Sequence, residues 1–191
     1  MFRSRWFEAL LVALPGLALA GFGLVHPAGL SANSASWWAT LHIILLPMFI
    51  LLGAAQWHLL RPAHPVIRWT GRLAALGFAA FYTGLDAVAG IAAGTVMDVQ
   101  GGYSSAVGHL FRVGDMLGYV GAWSFLAGSV LAVVGLALRA GWRVVPGALL
   151  LLPASVSFLD SHLFWPRGVY TLAAIGAGMF LLSFLGPRPR T

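Results

Sequence analysis

The chain contains no cysteine and no lysine. Without cysteine it has no disulfide, no thiolate-bound iron–sulfur cluster and no thiol nucleophile. Without lysine, every fixed cation is an arginine. Charge of either sign is scarce. Charged residues make up 8% of the 191 positions, against about 25% in an average soluble domain. With 60% of the residues hydrophobic, the chain cannot cover itself with polar surface, so its solvent is lipid. The net charge of +6 would suggest nucleic acid in a soluble protein. Here the arginines sit at the ends of apolar segments, so the expected partners are the lipid bilayer and other membrane subunits, with no nucleic acid. No Pro/Ser linker and no internal repeat divides the sequence, which reads as one transmembrane domain, 1–191.

What is present is apolar sequence in long runs. A spanning helix needs about 20 mostly apolar residues, and six segments approach that: 6–25, 37–60, 73–97, 116–138, 144–159 and 169–185. The fifth is short and holds Pro146 and Pro153. Unbroken apolarity, without alternation, selects helices over a transmembrane barrel. The expected fold is an all-α, polytopic integral membrane bundle of six transmembrane helices. If Ala18-Leu19-Ala20 is a signal-peptide cleavage site behind Arg3 and Arg5, five helices remain.

Arginine placement orients the bundle. With the N-terminus inside, Arg3, Arg5, Arg61, Arg68, Arg72, Arg139, Arg143, Arg188 and Arg190 are cytoplasmic, and only Arg112 and Arg167 are outside. This is the positive-inside pattern, and it puts both termini in the cytoplasm. The expected location is the cell membrane, of the bacterial inner-membrane type. Trp37, Trp38 and Trp165 mark the outer boundary, and Trp6, Trp57, Trp69 and Trp142 the inner one, as an aromatic belt.

The third span carries an acid. Asp86 lies about 21 Å along the helix from Arg72 at 1.5 Å per residue, past the midplane toward the outside. A carboxylate there is costly in lipid and faces the bundle interior. Tyr82, Asp86, Gly90 and Gly94 recur at spacing four and share a stripe. Gly90 and Gly94 form a G-x-x-x-G pair suited to close helix packing. Tyr82 and Thr83 are placed to support Asp86 with hydrogen bonds. His42 is about 7.5 Å below the outer boundary, with Pro47 kinking the helix beyond it. Asp160 and His162 end the fifth span at the same outer level. His26 and His109 fall in outer loops, and Arg112 pairs with Asp115 at i,i+3.

His42, Asp86, Asp160 and His162 therefore form a candidate polar site facing outward. Histidine and carboxylate are ligands for divalent zinc, iron or manganese, so a metal or small ligand is the first reading. Neither H-E-x-x-H nor H-x-x-x-H is present to fix the metal. An intramembrane enzyme is the second, with Asp86 and His42 as acid and base and Ser157 as a nucleophile, although no G-x-S-x-G elbow exists. A b-type haem between His42 and His162 is a third. His58 cannot share a haem with His42, being about 24 Å away along the helix. A proton-coupled transporter or an accessory subunit completes the set.

The arginine asymmetry predicts that a phosphatase reporter fused after Thr191 is inactive and a fluorescent protein there is bright. The reverse pattern would overturn the cytoplasmic C-terminus, and a mature chain starting at Gly21 would establish the cleaved alternative.

Overall fold

The computed structural model describes residues 2–187; Arg188 and Arg190, and the side chain of Arg3, lie outside the described residues. Seven α-helices follow in order: α1 Phe2–Gly23, α2 Ala35–Leu59, α3 Pro65–Leu85, α4 Ala93–Gln100, α5 Ser105–Ala140, α6 Val145–Ser161 and α7 Arg167–Leu185. A π-helical segment, Asp86–Ala92, joins α3 to α4 without a break, and a 3-10 turn, Gly141–Val144, joins α5 to α6. No strand occurs among the described residues.

Five helical stretches are long and apolar enough to cross a membrane: Arg5–Gly23, Ala35–Leu59, Pro65–Gln100, Ser105–Ser161 and Arg167–Leu185. The fourth is interrupted at Gly141, whose φ of 59° lies in the region that favours glycine. The break leaves α6 with 17 residues, and Pro146 at its start needs no backbone donor. Two helices are longer than their apolar cores: α5 has 36 residues, and the α3–α4 rod spans Pro65–Gln100. Hydropathy marks only the lipid-matched part, whereas backbone hydrogen bonding continues beyond it. The ends of these rods use local signals. Pro65 opens α3, Gly101 closes α4 at φ 69°, and the Ser104 hydroxyl accepts the Val107 N–H at 3.5 Å as an N-cap of α5. Helix α2 runs continuously through Pro47.

Helix α2 lies at the centre, against α1, α3, the π segment, α4, α5 and α7. The strongest pairings around it are α3 with α5, α1 with α7, and α6 with α7. Large apolar side chains such as Leu10, Leu14, Leu73, Leu76, Leu149 and Val156 are exposed on the outside, as lipid contact requires. Inside, Phe49, Phe78, Phe125 and Phe158 are fully buried. Their rings pack at inclined and edge-on angles across helices, with Phe78 4.9 Å from Phe125 and Phe125 5.6 Å from Phe158. Gln56 donates to the Phe125 carbonyl at 2.8 Å and to Ser129 Oγ at 3.0 Å, and Ser155 bonds Ser129 at 3.1 Å. This network links α2, α5 and α6 through buried side chains.

Tyr82, Asp86, Gly90 and Gly94 are all buried. The π segment adds a residue to the turn, which holds the four-residue spacing on one side where a regular α-helix would drift. Two local expectations change. Trp38 is buried, donating from Nε1 to the Ala89 carbonyl at 3.2 Å; it anchors α2 to the π segment and does not belong to the exposed belt. Arg112 hydrogen-bonds His109, and no Arg112–Asp115 ion pair forms among the described residues.

Close packing makes a direct prediction. A Cβ on Gly94 would lie 3.0 Å from the Ala39 amide nitrogen, whereas one on Gly21 would meet nothing within 4 Å. Gly94→Leu should lose roughly 1–3 kcal/mol or more in detergent, and Gly21→Leu should change stability by less than about 0.5 kcal/mol. Equal unfolding temperatures for the two variants would refute the packing of α4 on α2.

Candidate metal centre

Three histidines from distant parts of the chain meet at one end of the bundle. One ring nitrogen from each of His26, His42 and His162 lies within 4.8 Å of the others. His26 belongs to the connection between α1 and α2, His42 to α2, and His162 follows the last turn of α6. His162 adopts φ 44° and ψ −137°. For a residue with a Cβ such backbone costs about 1–3 kcal/mol and tends to occur at functional sites.

The hydrogen bonds of the rings decide where their lone pairs point. His42 Nδ1 lies 2.7 Å from the Trp38 carbonyl, and His26 Nδ1 lies 2.8 Å from the Pro27 carbonyl. A carbonyl only accepts, so both Nδ1 atoms carry hydrogen. In the neutral rings both Nε2 atoms are then bare, and they face each other at 3.5 Å. Burial pushes the His26 imidazole below its ordinary pKa, and its bond to Pro27 only partly opposes that. Two lone pairs brought this close repel unless a proton or a cation sits between them. His162 Nδ1 is bonded to Tyr82 Oη at 2.8 Å. All three rings thus have one nitrogen engaged by an oxygen, and where the His162 Nδ1–H donates to Tyr82 its other nitrogen is bare as well, the outer-shell pattern of metal-bound histidine.

Asp86 completes the group. Its Oδ1 stands 3.9 Å from His42 Nε2. The residue is fully buried, and neither carboxylate oxygen has a hydrogen-bond partner among the described residues. Such a carboxylate is expensive unless something positive is at hand. The expected supporters do not serve it. The Tyr82 phenol reaches past it to His162, with its ring stacked 4.9 Å from Phe158. Thr83 Oγ1 is buried without a partner among the described residues.

Gly90 makes the arrangement possible. A Cβ there would collide with His42 Cδ2 and Cγ. The π segment therefore lies directly on the imidazole, with no room for a side chain.

A cavity of about 330 Å³ adjoins the cluster. His42, Tyr82 and His162 line it with Trp38, Leu85, Phe111, Phe158 and Phe164, and Asp115 and Asp160 sit on its exposed rim. Asp160 is paired with Arg167 at 2.5 Å, so it borders the cavity as half of a surface ion pair and does not join the ligand group. Ser157 bonds Thr171 at 2.8 Å and accepts from Arg167. Its hydroxyl is turned to α7 and taken up by these two partners, away from the histidines. A porphyrin on His42 would have to occupy the space already filled by His26 and Asp86, so the packing opposes haem.

The structure brings His42, Asp86 and His162 together and adds His26, which sequence reasoning left in a loop. Its signal was the outer-level position of the His26-Pro27 pair, directly after the first apolar run. Comparison with protein families, curated proteins and solved structures finds no match for this chain.

The fit of Gly90 to His42 can be measured. Gly90→Ala should cost roughly 1–3 kcal/mol of stability, as overpacking does. In a His42→Ala background the added methyl has space, so the double variant should lose clearly less than the sum of the two singles. Additive losses would show that the two residues do not press on each other.

Proposed function

We propose that the protein is a six-span membrane protein, with both termini cytoplasmic, that binds a divalent transition-metal ion at an outward-facing site. His26, His42 and His162 are the ligands and Asp86 lies beside the ion. The six-span count treats α5 and α6 as separate crossings on either side of Gly141, and supporting it are the arginine distribution and the positive-φ turn. The same orientation puts the α1–α2 and α6–α7 connections on the outer side of a cell membrane.

The observation that carries the metal reading is the facing pair of bare Nε2 atoms at 3.5 Å. Ligand atoms around tetrahedral zinc are about 3.3 Å apart, given Zn–N bonds of about 2.0–2.1 Å. The His26–His42 pair is already near that spacing. The third histidine, within 4.8 Å, needs a modest inward movement. Three neutral imidazoles leave the dipositive charge uncompensated, and the unpartnered Asp86 carboxylate supplies a negative group within reach. Imidazole ligation suits zinc and also iron, copper and nickel; zinc is favoured because a site this enclosed by tightly packed rings matches a four-coordinate ion.

Elemental analysis of the detergent-purified protein should find about one zinc per chain, the stoichiometry of one four-coordinate site. His26→Ala, His42→Ala and His162→Ala should each abolish stoichiometric binding. Tyr82→Phe should weaken affinity by roughly 10–100-fold, as loss of an outer-shell partner does. Metal-free protein after incubation with zinc, or unchanged binding in all three histidine variants, would refute the assignment.

A further inference from the structure

Resting on the metal reading, we propose that the site is the catalytic centre of a hydrolase for acyl esters or amides of amphiphilic molecules. Three protein ligands leave the fourth zinc position open to water, the arrangement of catalytic sites, whereas structural zinc sites use four protein ligands. The bound water becomes acidic enough to supply hydroxide near neutral pH. Asp86 stands 3.9 Å from a ligand atom, fully buried, with both oxygens unpartnered among the described residues. A water on the ion would give it a proton donor to accept from.

The cavity names the substrate class. Its volume of about 330 Å³ is within the range of small-molecule sites, roughly 300–1,000 Å³. His42 and His162 are part of its lining, and Leu85, Phe111, Phe158 and Phe164 give it apolar walls. Its rim carries the exposed acids Asp115 and Asp160 beside exposed Tyr119 and half-buried Leu159. A rim that is charged on one part and apolar on another suits a molecule with a polar head and a hydrocarbon tail. Hydrolysis is the chemistry whose co-reactant, water, the site itself would hold.

The step balances without a redox partner. Metal-bound water gives a proton to Asp86, and its oxygen forms a bond to the acyl carbon. The scissile C–O or C–N bond breaks, its electron pair passes to the leaving oxygen or nitrogen, and that atom takes the proton from Asp86. One water is consumed, and a carboxylic acid and an alcohol or amine are released.

The test uses the full chain, zinc-loaded in detergent, with p-nitrophenyl esters and coumarin amides of acetyl, octanoyl and dodecanoyl acids. Zinc content is measured on the same samples. Turnover should require the metal and favour octanoyl or dodecanoyl over acetyl. Asp86→Asn should keep its zinc and lose at least about 100-fold in kcat, the scale of general-base catalysis. Leu159→Trp, which narrows the rim without touching a ligand, should shift preference toward acetyl; it decides alone if Asp86→Asn does not fold. Zinc bound with no turnover of either series overturns the hydrolase and leaves the metal site standing. Turnover unaffected by Asp86→Asn, or zinc lost in that variant, overturns the role of Asp86 as base. Failure to bind zinc at all overturns both proposals.

Discussion

The contact between Gly90 and His42 is the constraint on which this end of the bundle depends. The missing side chain lets the π segment rest against the imidazole, and that approach fixes several things together. It brings Asp86 to the same level as His42. It lets Trp38 reach across to the Ala89 carbonyl. It also holds the His42 ring so that Nε2 points toward His26 and not into lipid. A residue with even one extra carbon would separate α2 from the helix that carries the acid. The π geometry belongs to the same constraint, because the wider turn keeps Asp86 and Gly90 both on the inward side.

Much of this was legible in the sequence, and the reasons are physical. Apolar runs of spanning length report helices because lipid leaves the backbone no other partner. The in-phase stripe of Tyr82, Asp86, Gly90 and Gly94 reports an interior face because charge and small residues both avoid lipid. The level of His42 follows from a constant rise per residue. Where the rise is not constant, the reading weakens. His26 lies in a connection, and no periodicity says whether a loop folds back over the bundle or points to solvent. Sequence places Trp38 in the belt beside Trp37, yet the two adjacent rings diverge: Trp37 is exposed and Trp38 is buried. Asp160 has the right depth but the wrong partner, since Arg167 lies close enough to claim it. Depth along a helix is readable in sequence; azimuth at a helix end and competition between partners are not.

The buried polar groups divide into two kinds. Gln56, Ser129 and Ser155 bond one another and nearby carbonyls between helices, and their part is to hold the bundle together. Asp86 finds no such partner, and the two Nε2 atoms near it repel. The bundle gives the Gln56 amide nitrogen two acceptors, leaves its Oε1 without a partner among the described residues, and leaves both Asp86 oxygens unmet. Asp86 is the one carboxyl group in that unmet set, and a local rule broken at so high a cost generally marks a site of function.

The connections bearing His26 and His162 also say something about assembly. His26 comes just after the first helix and His162 after the sixth, so the histidine cluster is incomplete until most of the chain has been made and inserted. An ion held there would fasten the first connection to the last in a chain that has no cysteine to do so covalently. Such a fastening draws its free energy from the folded state alone. Occupancy would therefore mark a finished molecule: a truncated or misinserted chain presents two histidines at most, and cannot close the clasp.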